Sequence, residues 1–169
     1  MINITFISGN ARIIDRVAPL WEDLNRQHLG ASPYFKDYYR TLKFEDRKRA
    51  ILQRTVGGEI RVDLAMSSAN SIVGFCITSI DRELTGQIDS IFVSKTYRNQ
   101  GIGTKLMEKA LEWLNLKGSK KNIVSVAVGN EQAYVFYSQF GFFPRRTLLE
   151  QKKSTPEMHR LPNHRGNIN

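Results

Sequence analysis

The sequence predicts an α/β (α+β) protein whose one sheet has an antiparallel and a parallel part, and two observations carry that expectation. Residues 59–66, 72–80 and 87–93 are three strand-like runs divided only by the short polar connections 67–70 and 82–86, the pattern of an antiparallel meander. An amphipathic helical stretch and then a nearly continuous apolar run at 123–128 follow. A strand reached through a helix lies parallel to its neighbour, and unbroken apolar character suits burial on both faces.

The remaining elements follow in order. Residues 2–7 alternate apolar positions with Asn3 and Thr5, which predicts a first strand. Ile13, Val17, Leu20, Trp21 and Leu24 recur at helical spacing up to Leu29, with Pro19 inside the run, so a break is expected near it. Tyr34, Phe35, Tyr38 and Tyr39 crowd the next stretch, and 43–55 reads as a basic helix with Phe44, Ile51 and Leu52 on its apolar face, ending at Gly57-Gly58. Ile102, Leu106, Met107, Ala110, Trp113 and Leu114 mark the helix at 101–116, and Gly118 ends it. Ala133, Phe136, Tyr137 and Phe140 form another helical stripe, with Asn130 as its expected cap and Gly141 after it. A last strand is expected at 142–149, and a polar tail at 151–169.

Length and composition set the class. The 169 residues suit one domain, placed at 1–150, and 41% apolar with 24% charged residues is the balance of a globular chain. No apolar run reaches the roughly 18 residues of a membrane span, and the first residues lack a basic segment followed by an apolar one, so a cytoplasmic protein with no membrane partner is expected. The single Cys76 has no Cys or His neighbours at metal-ligand spacing and reads as core packing, with no metal expected. A net charge of +9 favours a polyanionic partner, either a nucleic acid or a phosphorylated small molecule.

Position decides between them. Ile88-Asp89-Ser90-Ile91-Phe92-Val93 runs through a short connection into Arg98-Asn99-Gln100-Gly101-Ile102-Gly103-Thr104, which opens a helix. A helix N-terminus presents unpaired amides and the positive end of the helix dipole, and glycines let phosphate oxygens approach that backbone. Lys95, Arg98 and Lys105 surround the turn. Tight packing is the structural alternative for such glycines. A P-loop is excluded because no Lys-Ser or Lys-Thr follows at the required distance, and a dinucleotide fingerprint because Leu106 stands where its third glycine belongs.

Arg98, Gly101 and Gly103 at this strand-to-helix junction resemble motif A of the GNAT superfamily of N-acetyltransferases. The stretch from Asn130 through Tyr137 to Phe142 is similar to that family's motif B at the family's spacing. The resemblance implies a GNAT-like mixed sheet of six or seven strands with about four helices, in which parallel strands 4 and 5 splay apart. It implies acetyl-CoA as acyl donor, with the backbone of Ile91, Phe92 and Val93 on pantetheine and the turn of Arg98, Asn99, Gln100, Gly101, Ile102, Gly103 and Thr104 on pyrophosphate. Asn130, Ala133, Phe136 and Tyr137 complete the cofactor side.

The implied reaction is acetyl transfer to a primary amine by direct attack, with Tyr137 as general acid. Asp89 is the nearest acidic candidate for the general base, a water relay being the alternative. The acceptor side is expected in the N-terminal helical region, where His28, Tyr34, Tyr38 and Tyr39 could surround an amine. A module that binds acyl-CoA without catalysis is the alternative function. Nucleic-acid binding through Arg40, Lys43, Arg47, Lys48, Arg49 and Arg54 is disfavoured, because a charge run on a helix is ordinarily a solvated face and no aromatic residues are interleaved with it. Exposed strands near the C-terminus would suit a homodimer.

Overall fold

In the computed structural model, residues 3–152 are described, and all but the first two positions of the expected polar tail lie outside them. Five strands, β1 (Ile4–Gly9), β2 (Glu59–Ser67), β3 (Ile72–Ile80), β4 (Thr85–Val93) and β5 (Lys121–Val124), form one sheet in that order. Each neighbour pair is antiparallel except β4 with β5, which is parallel. The helices are α1 (Ala18–Ala31), α2 (Lys36–Thr41), α3 (Phe44–Arg54), α4 (Ile102–Leu116) and α5 (Ala133–Ser138).

The sheet separates two apolar layers. On one side Val17 and Trp21 with Phe44 and Ile51 of α3 cover Ile60, Val62 and Leu64 of β2 and Phe75 and Ile77 of β3. On the other, α4 lays Ile102, Leu106, Met107, Ala110, Trp113 and Leu114 against Ala65, Val73, Cys76, Ile80 and Ile88. That stripe is the one its helical period predicts. Full burial of each large side chain in it contributes about 1.5–3 kcal/mol relative to exposure.

Pro19 has the expected consequence. A 3-10 helix at Ala11–Val17 gives way to α1 with proline in its first turn, where the missing N–H costs no hydrogen bond. Asn25, buried on α1, donates from Nδ2 to the carbonyls of Tyr39 (2.8 Å) and Leu42 (3.3 Å), which fixes α2 and the start of α3 on α1.

Several expectations are corrected. The described residues contain five strands rather than six or seven, because 142–149 forms no ladder: Phe143, Leu148 and Leu149 are exposed. β5 ends at Val124 and its first three residues are exposed, so it is an edge strand rather than one covered on both faces. Leu52 lies off the buried face of α3. The cap position of α5 is Gln132, and Asn130 contributes its backbone carbonyl to the Ala133 N–H at 3.0 Å rather than a side-chain cap.

A candidate acyl-CoA site between the fourth and fifth strands

One extra residue in β4 shapes the site. Ile77 of β3 faces Ser90 while Thr78 faces Ile88, so Asp89 is left without an opposite number and β4 bulges there. Ile88 and Phe92, four apart in a strand, consequently pack into opposite layers. Pairing to β5 covers only residues 85–88 of β4. Beyond the bulge, β4 keeps β3 on one side and has no ladder partner on the other, among the described residues. The chain after Val124 turns away instead, and Gly129 with φ +93° packs directly on the Ala31 carbonyl at the end of α1. The result is a wedge whose wall is the free edge of Asp89, Ser90, Ile91, Phe92 and Val93.

The N-terminus of α4 stands at the end of that wall. Its N-cap Gly101 has φ +76°, a left-handed conformation that glycine adopts without strain. The first amide of α4 with a backbone acceptor is that of Lys105, bonded to the Gly101 carbonyl at 2.9 Å. The amides of Ile102, Gly103 and Thr104 precede it and have no intrahelical acceptor, as the geometry of a helix start requires. A Cβ placed on Gly103 would meet Phe136 at 3.6 Å and Val93 at 3.8 Å, so this turn, β4 and α5 converge there. Asn99 is left-handed at φ +60°, Gln100 donates to the Thr96 carbonyl at 3.3 Å, and Arg98 donates from Nε to the Val93 carbonyl at 2.9 Å with its guanidinium over the Phe92 ring. Free amides, dipole and guanidinium fit a pyrophosphate.

α5 closes the same end. Phe136 and Tyr137 meet edge-on, Tyr137 meets Phe142 likewise, and Ala133 packs in the same layer as α4. Tyr137 is buried, which pushes its hydroxyl above the ordinary phenol range, with the Cys76 sulfur adding to the shift. Cys76 is fully buried with its Sγ 3.4 Å from the Thr78 hydroxyl, and burial pushes its thiol up to about 12. It is a core residue with no accessible thiolate at neutral pH.

Asp89 points to the opposite layer, where its side chain is 1% exposed. Arg54 donates to both carboxylate oxygens, at 3.1 and 3.3 Å, and the Ser79 hydroxyl donates to Oδ2. Arg47 lies 3.9 Å from Oδ1 and donates to the Asp89 main-chain carbonyl. Burial raises the carboxyl above its ordinary value, while Ser79, Arg54 and Arg47 pull the other way. Beside this cluster, the His28 ring meets Tyr39 edge-on at 5.5 Å and Tyr39 meets Tyr38 at 5.2 Å, whereas Tyr34 is 68% exposed.

Arg47, Arg54 and Ser79 were absent from the expected site, the two arginines being read as part of a solvated charge run. Their spacing held the signal. Phe44, Arg47, Ile51 and Arg54 share one α3 face, the face that packs on the sheet, so arginines in that stripe require a buried acid. Three of the other four cations of the run are also neutralised locally: Arg40 pairs with Asp37, Lys48 with Asp15 and Arg49 with Asp46.

Known proteins carry the same architecture. A model described as "Acetyltransferase (GNAT) family" matches residues 18–142. An uncharacterised N-acetyltransferase of Archaeoglobus fulgidus is 32% identical over 109 residues, 61% of this chain and 65% of that protein. The chain spans between 29% and 65% of the length of three curated relatives it matches. A putative acetyl transferase from Pyrococcus furiosus superposes with a TM-score of 0.67 at 23% identity, covering 89% of this chain and 100% of that one. An aminoglycoside N-acetyltransferase, AAC(6')-Iy, in complex with CoA superposes at 0.60 and 18% identity, over 92% and 97% of the two chains. At these identities the solved structures speak for the fold. With its family model spanning the helical layer, the wedge and α5, the chain belongs to the GNAT family of acetyltransferases.

Proposed function

We propose that the protein transfers an acetyl group from acetyl-CoA to a primary amine by direct attack. The observation that carries this reading is the wedge: an unpaired β4 edge that runs straight into uncapped amides at the start of α4. Family membership and the CoA complex of a neighbour of the same fold support it.

In this reading the free edge of Ile91, Phe92 and Val93 bonds the pantetheine amides, and the turn at 98–104 takes the pyrophosphate. Asn130, in the loop that carries Gly129 onto α1, borders the mouth of the wedge, with Ala133 and Phe136 along the same side. An amide of β4 beside the bulge stabilises the oxyanion. The donor, when bound, supplies an activated carbonyl and a thiolate leaving group. Tyr137, whose hydroxyl stays protonated across the ordinary pH range, gives the thiolate its proton. Asp89 has its carboxylate filled by Arg54 and Ser79, so its part is electrostatic: it anchors Arg47 and Arg54 and holds the bulge.

The test is calorimetric titration with CoA, followed by an amine panel with acetyl-CoA while free thiol is monitored. Saturable binding with amine-dependent thiol release is expected. Binding with no turnover of any amine would leave a non-catalytic acyl-CoA module, and absence of binding would remove the assignment.

A further inference from the structure

We propose that His28 is the general base that takes the proton from the acceptor ammonium, an inference that rests on the acetyl-transfer reading above. Trp21, Leu24, Asn25 and His28 succeed one another on the inner face of α1, and Trp21 and Asn25 are buried. An imidazole therefore takes the next turn of a stripe that before it is apolar except for Asn25, whose Nδ2 holds the Tyr39 and Leu42 carbonyls. One turn further on, Ala31 carries Gly129 and with it the loop that follows β5. His28 thus sits where α1 meets the mouth of the opening between β4 and the segment after β5.

The surroundings prepare the ring to accept a proton. Asn25 holds the Tyr39 main chain, and Tyr39 sets its ring edge-on to His28. From α3, Arg47 lies close enough for its charge to act on the imidazole, and it is itself held by the carbonyl and carboxylate of Asp89 in the β4 bulge. Burial first and the Arg47 charge second lower the imidazole from its ordinary value, so the ring is neutral at physiological pH. Tyr38 stands behind Tyr39, Arg54 neutralises Asp89, and the Glu131 carboxylate is engaged by the Gly129 amide at 2.8 Å. His28 remains as the uncharged base, and no hydrogen bond among the described residues occupies its nitrogens.

The proton count closes. One proton passes from the ammonium to an imidazole nitrogen of His28 and on to solvent. The amine lone pair then forms the C–N bond, and collapse breaks the C–S bond with its electron pair going to sulfur. Sulfur takes the Tyr137 proton, and the second proton leaving the nitrogen restores the phenol. Tyr137 packs in the α4 layer and His28 extends from the α1 layer, so donor and base approach the wedge from opposite faces of the sheet.

The experiment compares wild type with His28→Gln and His28→Ala. Both variants should bind CoA as wild type does, since neither touches the α4 turn. At pH 7, turnover should fall about 10²- to 10⁴-fold, the span of a positioned base. The deficit should shrink above the acceptor's own pKa of roughly 10, and added imidazole should restore part of the His28→Ala rate. The wild-type log rate should bend at a pH below that of free imidazole, and His28→Gln should lose that bend. Equal turnover, or a deficit constant with pH and unmoved by imidazole, overturns the role of His28 alone. Wild type that binds no CoA overturns the acetyl-transfer reading itself.

Discussion

Arg54 Nη2 lies 3.1 Å from Asp89 Oδ1 and 3.3 Å from Oδ2, which joins the last turn of α3 to the bulge of β4. Asp89 is the more buried partner, its side chain 1% exposed against 30% for Arg54. Removing the arginine strands a carboxylate away from water, whereas the intact pair gains little over an apolar replacement. Arg54→Met should therefore lower unfolding free energy by about 1–3 kcal/mol at pH 7, less than a fully dry pair would cost because Arg54 is partly solvated. Protonation relieves a stranded carboxylate, so the deficit should narrow on going to pH 5. Urea denaturation at the two values measures it, and Arg54→Met/Asp89→Asn should recover part of the loss.

The turn at the start of α4 separates two kinds of substitution. Gly103 has ordinary van der Waals room for a Cβ, with Phe136 at 3.6 Å, and its φ lies outside the left-handed region. Gly103→Ala should fold as wild type does. Gly103→Glu should also fold but lose CoA affinity by at least about tenfold, since a carboxylate beside the free amides repels phosphate at the site where the dipole attracts it. Calorimetric titration of the two variants checks the contrast. Equal affinity in a folded Gly103→Glu protein would place the pyrophosphate elsewhere. Gly101→Glu is the less informative variant because its φ of +76° adds strain of about 1–2 kcal/mol whatever the ligand does.

Much of this was legible in the sequence, for physical reasons that differ by element. The α4 stripe was read residue for residue because a helix against a sheet buries one face with a strict period. The glycine turn was legible because a helix start needing close approach restricts residue type. β5 was not: an apolar run such as 123–128 reads as buried, yet Ile123 is exposed on an edge strand and Val128 is exposed where the chain has left β4 after Val124. The bulge at Asp89 depends on register with β3, which no local pattern encodes. The Arg47 and Arg54 contacts were hidden by composition, since a basic run is scored as surface before its periodicity is read.

Cys76 gives a pH test of the core. Its thiol, ordinarily near 9.0, is raised to about 12 by burial against the sheet. Above pH 9 the unfolded chain has released this proton while the folded chain keeps it, so the unfolded state binds fewer protons. Stability should then fall by about 1.4 kcal/mol per pH unit from this group, until the pH passes its folded value. Cys76→Ala removes that dependence at the cost of a small cavity. Urea midpoints from pH 8 to 10.5 should show the gap between wild type and variant narrowing as pH rises, and the native thiol should resist iodoacetamide at pH 8 until the protein is unfolded.

Tyr137 is the position where packing and chemistry can be told apart most cleanly. Its ring is fixed by Phe136 at 5.4 Å and Phe142 at 6.2 Å, contacts that phenylalanine would keep. Its hydroxyl forms no hydrogen bond among the described residues, so deletion leaves no buried group without a partner, and Tyr137→Phe should change stability by less than about 0.5 kcal/mol. If the hydroxyl protonates the departing thiolate, the same variant should keep its CoA affinity and lose turnover by about 10- to 10⁴-fold. The loss should fall on kcat and kcat/KM alike, because the interaction exists only once charge has developed on sulfur. Because burial holds this phenol above its ordinary range, the wild-type rate should show no alkaline loss attributable to Tyr137 before about pH 10. A nitrothiophenol-type thioester, whose thiolate leaves without a proton, supplies the control: the gap between Tyr137→Phe and wild type should close with that donor. A gap that persists unchanged would make Tyr137 a packing residue whose ring merely positions the acyl group.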